Sequence, residues 1–335
     1  MRVRQWRLWR RWTVRVLCVL LLTATGSALG LGGGLLLDST GTPRADAVSR
    51  GGDALWLGHA WVDGRKTQAD VDALAEQLGG GGIRDLYVHT GPLAFDGSLD
   101  PALYPRAHWL IGALHQAMPQ VRVQAWLGQI LDGEGPGLNL AASTDRITAS
   151  FAQVLDAGFD GVHVDLEPLH TGDPHFLDLL SRAHALTNAR HRVLSVSVPQ
   201  TDPVPGAHLV GTLVGNHPKW LSPGYLTEVA DRVDQVAVMA YDSGMPTKAL
   251  FTGYIEEQTR LALQAVPPSV DLLIGLPAYT ESTMDHHGSA ETVAAAIRGV
   301  RLADEGRPKF GVAMYVDFTA TPADWAAYHR DWANP

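Results

Sequence analysis

Three ionisable side chains alternate in the segment 159–168, which reads Phe-Asp-Gly-Val-His-Val-Asp-Leu-Glu-Pro. Alternate side chains of a β-strand project from the same face, so His163, Asp165 and Glu167 share one face of a strand whose other face is apolar. Burying three such groups costs free energy unless they have partners or a chemical task. A structural polar network is one interpretation. Because a proline follows Glu167 and ends the strand, we favour a functional site at this strand's carboxyl end.

The elements that would hold this strand come from a regular alternation of strand-like and helix-like segments. Eight strands are predicted, each followed by a helix, at residues 54–61, 85–89, 121–127, 159–168, 193–198, 236–242, 272–277 and 311–316. This order predicts a (β/α)8 TIM barrel, a fold of about 250 residues with its active site at the carboxyl ends of the strands. An open doubly wound sheet is the alternative, but residues 59–64 lack its usual glycine-rich phosphate turn.

The predicted strand ends bring further polar and aromatic side chains into one mouth. They include Trp61, His89, Trp126, Gln200, Met239, Tyr241, Asp242, Tyr279 and Tyr315. This mixture suits a carbohydrate, because sugar rings stack on aromatic faces and sugar hydroxyls need donors and acceptors. Histidines beside carboxylates could also ligate zinc. The sequence has no HExxH motif and no His-x-His on the first strand, so we expect no metal and no cofactor.

Other hydrolytic nucleophiles are excluded by the motifs that the chain lacks. There is no Gly-x-Ser-x-Gly elbow, and the single cysteine, Cys18, lies in the apolar N-terminal run. Glycosidases instead use carboxylates: an acid of raised pKa protonates the leaving oxygen, and a second group deals with the cationic carbon. The carboxylates of the central strand therefore favour chemistry on sugars.

The N-terminal segment, residues 1–37, has a distinct composition. It contains six arginines and no acid, and its apolar run Val16–Leu37 carries no charge. Such a run can span a bilayer core of about 30 Å, and the preceding arginines would keep the N-terminus in the cytoplasm. We predict a membrane anchor at residues 16–37 with the following domain outside the membrane. A cleaved signal peptide, giving a secreted protein, is the alternative.

Residues 38–52 are rich in Gly, Ser, Thr and Pro and are predicted to be a linker, and residues 53–335 form the barrel domain. Beyond residue 37, acidic side chains clearly outnumber basic ones, because six of the arginines precede it and none of the acids does. A domain of this charge repels a phosphate backbone, so we expect no nucleic-acid partner.

Two segments resemble motifs of the family 18 glycoside hydrolases, which include chitinases and endo-β-N-acetylglucosaminidases. The residues Asp160-Gly161-Val162-His163-Val164-Asp165-Leu166-Glu167 are similar to the DxxDxDxE signature of the fourth barrel strand, and Met239-Ala240-Tyr241-Asp242 to the MxYD motif of the sixth. The resemblance covers residues 54–332 and implies a retaining, substrate-assisted glycosidase acting on N-acetylglucosamine-containing glycans.

The resemblance also implies roles for single residues. Glu167 would be the general acid/base, and Asp165 would orient the substrate's acetamido group. Tyr241 would bond the same group, and Asp242 would contact the sugar near the scissile bond. Asp160 and His163, which stand at the other two signature positions, are counted with the catalytic residues.

The sequence departs from the family pattern at three places. His163 stands at an acidic position of the signature, no Ser-x-Gly-Gly motif occurs near residues 125–128, and Tyr315 stands near where the family usually has a tryptophan. We expect His163 either to donate an N–H to an ionised Asp165 or to carry a charge that favours the Asp165 anion. Asp165 would then be anionic throughout the working range, and the titration of His163 would set one limb of the pH–rate profile. A neutral His163 that only packs is the alternative.

Two other functional interpretations stay open. Leu166-Glu167-Pro168 is also similar to the Asn-Glu-Pro strand end of clan A retaining glycosidases, in which Glu281 would be the nucleophile after the seventh strand. The third interpretation is a carbohydrate-binding barrel without strong catalytic activity.

Overall fold

Eight parallel strands close into a barrel in the computed structural model, which describes residues 30, 32–79, 81–132, 136–209 and 219–334. Each strand pairs with its sequence neighbours, and β1 closes the barrel against β8. The strands are β1 Asp53–Leu57, β2 Ile83–Pro92, β3 Arg122–Ile130, β4 Gly161–Glu167, β5 Val193–Val198, β6 Gln235–Val238, β7 Asp271–Pro277 and β8 Phe310–Tyr315. The predicted (β/α)8 barrel is confirmed.

One helix follows each strand and packs on the outside of the barrel. The helices are α1 Gln68–Leu78, α2 Ala107–Ala117, α3 Leu140–Asp156, α4 Pro174–Ala189, α5 Pro223–Ala230, α6 Lys248–Ala265, α7 Val293–Ala303 and α8 Pro322–Tyr328. Capping side chains set several of the starts. Asn139, Ser222 and Thr292 each accept a hydrogen bond from a backbone N–H of the first turn, and such caps typically stabilise a helix by about 1 kcal/mol.

The alternation predicted for the central strand is present in β4. Val162, Val164 and Leu166 point outward and are buried in the main apolar core between the strands and the helices. His163 and Asp165 point into the barrel, where His163 is 0% exposed. The apolar side chains of the outer face pack against the helices and stabilise β4. The polar side chains of the inner face therefore do not have to contribute to that packing.

The first strand is shorter than predicted, and this moves Trp61 away from the mouth. The strand ends at Leu57, and a short 3-10 turn follows at His59–Trp61. The Asp317 carboxylate accepts hydrogen bonds from the Gly58 N–H at 2.8 Å and from the Trp61 indole N–H at 2.7 Å. These two bonds tie the end of β1 to the segment after β8, and Trp61 is 3% exposed in the core.

The N-terminal residues that are described lie against the outside of the barrel. Residues 32–38 are helical and contact α6 so closely that a Cβ on Gly253 would collide with the Leu35 carbonyl oxygen. In the predicted linker, Arg50 forms an ion pair of 2.9 Å with the buried Asp304. Most of the predicted anchor at residues 16–37 lies outside the described residues. Among the residues that are described, no helix has the length and hydrophobicity to cross a bilayer.

Candidate active site

A pocket of about 530 Å³ opens at the carboxyl ends of the strands, within the range expected of a ligand site. Seven of the residues predicted from strand ends line it: Asp165, Glu167, Gln200, Met239, Tyr241, Asp242 and Tyr315. They come from β4, from β8 and from the segments that follow β5 and β6. The barrel thus brings together two motifs that are far apart in the chain.

Glu167 stands at the end of β4 with its side chain open to the pocket. Although its surface is accessible, the pocket walls surround it and limit its hydration. Desolvation within these walls, together with the nearby carboxylates Asp165 and Asp242, raises the pKa of Glu167 to about 8. At neutral pH the Glu167 carboxyl is therefore mainly protonated, which is the form that a general acid needs.

Asp165 is held from the neighbouring strand by a tryptophan. The Trp126 indole N–H donates a hydrogen bond of 2.8 Å to Oδ2 of Asp165, whereas Oδ1 is buried and has no partner among the described residues. Burial raises the pKa of Asp165 to about 6, and the Trp126 N–H and the nearby Ser197 hydroxyl oppose that rise. Oδ1 is therefore an acceptor that a donor group of a ligand could use.

His163 does not make the expected contact with Asp165. The Trp56 indole N–H donates to Nε2 of His163 at 3.1 Å, so Nε2 is an acceptor and the ring proton belongs on Nδ1. Nδ1 in turn donates to the Ser195 hydroxyl at 2.7 Å. With both ring nitrogens occupied, the expectation that His163 donates to Asp165 is wrong in this structure.

The surroundings of His163 also keep its ring neutral. The ring is fully buried and stacks on Tyr87 with their centroids 3.7 Å apart. Burial holds the pKa of His163 well below its ordinary value. The Ser195 hydroxyl in turn donates a hydrogen bond of 2.7 Å to Oε1 of Gln124. His163 therefore belongs to a neutral polar network inside the barrel, which corresponds to the packing alternative.

Tyr315 is the centre of an aromatic wall. Its ring stacks on Tyr241 with centroids 5.4 Å apart, and it meets Trp126 and Tyr279 edge-on at 6.2 and 6.0 Å. Burial raises the pKa of Tyr241 well above its ordinary value, so its hydroxyl stays protonated and can donate a hydrogen bond. Tyr315, which stands near where the family 18 hydrolases usually have a tryptophan, therefore also provides an aromatic ring.

Asp160 lies far from the pocket. It precedes β4 at the amino end of the barrel, about 23 Å along the strand from Glu167 at a rise of about 3.3 Å per residue. Its carboxylate accepts from the Val123 backbone N–H at 2.9 Å and contacts His115 and Arg192 at 2.7 Å each. The catalytic role predicted for Asp160 does not fit this position, where its contacts connect β4 to its neighbours.

Two more predicted residues support the site from behind. His89 lies edge-on to Trp126 with centroids 4.7 Å apart, and burial lowers its pKa to about 4. The Tyr279 hydroxyl donates a hydrogen bond of 2.6 Å to Asp242. His89 and Tyr279 therefore fix side chains that face the pocket, rather than lining it.

Other pocket residues were not predicted from the sequence. Ile130 ends β3, and the others lie on loops: Leu169, Pro199, Lys219, Thr283 and Asp285. The Lys219 ammonium and the Asp285 carboxylate approach to 3.7 Å at the rim. A loop residue carries no periodicity that would assign it to the mouth, so only the folded chain identifies this pair. Glu281 is exposed, and among the described residues it is not part of the pocket lining.

Comparisons with known proteins bear on the fold alone. No protein-family model matches the chain, and no curated protein matches it in sequence. Solved structures do match. The Bacillus cereus spore cortex-lytic enzyme SleL superposes with a TM-score of 0.59 at 12% identity, over 88% of this chain and 76% of SleL.

Two chitinase structures also match. A chitinase from Chromobacterium violaceum has a TM-score of 0.56 at 17% identity, over 83% of this chain and 98% of the chitinase. A class V chitinase from Nicotiana tobaccum has a TM-score of 0.53 at 14% identity, over 84% of this chain and 97% of that chain. The barrel fold expected from the resemblance is thereby confirmed.

Proposed function

We propose that the protein is a glycosidase that cleaves N-acetylglucosamine-containing glycans with retention of configuration. Its fold is shared with chitinases and a spore cortex-lytic enzyme. Its pocket holds residues from both motifs, which are Asp165, Glu167, Met239, Tyr241 and Asp242. The observation that carries the proposal is the pair of carboxyls in β4. Their environments place the pKa of Asp165 at about 6 and that of Glu167 at about 8, and such a separation is how one site supplies an anion and an acid together.

In the first proposed step, the acetamido oxygen of the substrate attacks the anomeric carbon. The bond from that carbon to the leaving oxygen breaks, and Glu167 gives its proton to the leaving oxygen. The acetamido N–H donates to the unpaired Oδ1 of Asp165, whose charge stabilises the cyclised cation. The Tyr241 hydroxyl bonds the same group, and Asp242 contacts the sugar beside the bond that breaks.

In the second step, water attacks the anomeric carbon and the ring formed with the acetamido oxygen opens. The Glu167 carboxylate accepts the proton of that water, which restores both the acid and the acetamido group. Tyr315 and Tyr241 provide an aromatic surface on which the sugar ring stacks.

The proposal is tested with two aryl β-glycosides that differ only at C2. One carries an acetamido group and the other a hydroxyl. We expect hydrolysis of the first only, and inhibition by a thiazoline that mimics the cyclised intermediate. Equal hydrolysis of both would remove the acetamido group from the mechanism, and a covalent ester trapped on Glu281 would establish the clan A scheme. Tight binding of chitin oligomers or peptidoglycan without cleavage would identify a binding protein.

We also propose that the apolar run at residues 16–37, whose described end at Leu35 lies against α6, holds this domain on the outer side of the cytoplasmic membrane. The support is the uncharged run Val16–Leu37 behind an arginine-rich start. The anchored protein should stay with membranes in high salt and be cut by external protease. A soluble extracellular form that starts after this run would replace the anchor by a cleaved signal.

A further inference from the structure

Three side chains of types that ligate metal ions lie close together behind one wall of the pocket. Asp242 follows β6, whereas His286 and Glu291 belong to the long segment 278–292 between β7 and α7. One ligand atom from each of the three side chains lies within 4.8 Å of the other two. The cluster therefore joins two loops of the rim, and it includes a residue that also faces the pocket.

The imidazole ring of His286 is buried, yet its two nitrogens make no hydrogen bond to the described residues. Its side chain is 2% exposed. Nδ1 lies 3.1 Å from Oδ1 of Asp242 and 3.4 Å from Oε2 of Glu291. Among the described residues, however, neither ring nitrogen has a partner in hydrogen-bond geometry. Buried nitrogens are nearly always hydrogen-bonded, and an exception requires an explanation such as a bound ion or water.

Two of the three separations match those of ligands around one small cation. A tetrahedral zinc ion has its nitrogen ligands at about 2.0–2.1 Å and its carboxylate oxygens at about 2.0–2.2 Å, so its ligand atoms are about 3.3–3.4 Å apart. The separations of 3.1 and 3.4 Å from Nδ1 are close to that value. If the ring proton is on Nε2, the lone pair of Nδ1 faces these two carboxylate oxygens, and a cation bound by all three atoms would satisfy them.

The two carboxylates are themselves held by further contacts. Oε2 of Glu291 accepts the Ser243 backbone N–H at 3.1 Å, and Oε1 accepts the Gly244 N–H at 3.0 Å. The Tyr279 hydroxyl donates to Oδ1 of Asp242 at 2.6 Å. Contacts of this kind orient metal ligands in proteins and raise their affinity.

We propose that Asp242, His286 and Glu291 bind a divalent first-row transition metal ion, with water in the remaining coordination position. One imidazole and two carboxylates suit Zn²⁺ or a similar ion better than Ca²⁺, which takes oxygen ligands. The half-exposed Asp242 gives the ion a path from solvent. The ion acts structurally: it fastens the loop after β6 to the segment before α7 and so fixes Asp242 at the pocket.

No sequence pattern indicates this site, because His286 and Glu291 lie beyond the strand ends and form no motif. The proposal does not depend on the glycosidase activity. Metal binding is measured without substrate, so its failure and the failure of the proposed function are separate results.

The test is a calorimetric titration of the metal-free, full-length protein with Zn²⁺, with Ca²⁺ titrated separately. We expect one Zn²⁺ per chain and weak or no binding of Ca²⁺. His286→Gln should lower the Zn²⁺ affinity by more than about 100-fold, beyond the 10- to 100-fold typical of outer contacts. His287→Gln is the matched control, because it removes the neighbouring imidazole, which lies outside the cluster.

If a variant has low stability, the change of its Tm on adding Zn²⁺ still reports whether it binds the ion. Zn²⁺ should raise the Tm of the wild type and of His287→Gln, and leave that of His286→Gln unchanged. Glu291→Gln, as a second variant, should also lose the Zn²⁺ response. If the wild type binds no Zn²⁺, or binds it only as tightly as His286→Gln does, the proposal is overturned and the cluster is a histidine packed between two carboxylates.

Discussion

The Trp126 indole N–H donates a hydrogen bond of 2.8 Å to Oδ2 of Asp165. The two residues lie on adjacent strands, where Trp126 is in register with His163 and Gly128 with Asp165. This bond stabilises the Asp165 anion and opposes the rise of its pKa that burial causes. It therefore helps to keep the pKa of Asp165 below that of Glu167.

Trp126→Phe tests this relationship, because it keeps an aromatic ring and removes the donor. A hydrogen bond to a charged group contributes about 1.5–3 kcal/mol, and about 1.36 kcal/mol corresponds to one pH unit. We expect the acidic limb of kcat/KM to move toward higher pH by about one unit or more. Trp109→Phe, on α2 and packed against Arg106, is the control and should leave the limb in place. An unmoved limb in Trp126→Phe would mean that the bond does not set the pKa of Asp165.

The pH–rate profile follows from the two carboxyls. The proposed mechanism needs Asp165 ionised and Glu167 protonated. Activity should fall as the pH drops below about 6, because Asp165 takes up a proton, and as it rises above about 8, because Glu167 loses one. The two values belong to an interacting pair, so they appear as the limbs of one bell-shaped curve in kcat/KM. A maximum below pH 5, or full activity at pH 10, would contradict this assignment.

His163 should not titrate between pH 5 and 8. Its ring is buried and accepts the Trp56 N–H, so protonation would remove an acceptor and place a charge in the barrel. We expect its ¹⁵N resonances to show a neutral ring with the proton on Nδ1 from pH 5 to 8. The resonances are assigned by their loss in His163→Asn. A shift toward the imidazolium within this range would restore His163 as a titrating group beside Asp165.

The order of the elements and the alternation along β4 could be predicted because both rest on short-range periodicity. Strand β5 spans the predicted residues 193–198, and β8 begins and ends within one residue of its predicted range. Two motifs from distant parts of the chain could also be placed in one mouth, because all parallel strands of a barrel end on the same side.

The partners of these side chains could not be predicted, because they come from distant parts of the chain. Trp56 donates a hydrogen bond to His163, which is 107 residues away in the sequence. Trp61 donates one to Asp317, which is 256 residues away. Each of these contacts changed an expectation. The first makes His163 a neutral acceptor, and the second turns Trp61 away from the pocket. Long-range contacts of this kind leave no local pattern in the sequence.

The most direct test of the account is the kcat of Glu167→Gln on a β-1,4-linked N-acetylglucosamine oligomer. Removal of a general acid typically costs about 10²–10⁴-fold in rate, and glutamine keeps the size of the side chain. We predict a loss in that range for Glu167→Gln with a Tm close to that of the wild type. Glu281→Gln, on the exposed loop, should keep the wild-type kcat. A Glu167→Gln enzyme within tenfold of the wild type, or a loss of activity in Glu281→Gln alone, would contradict the account.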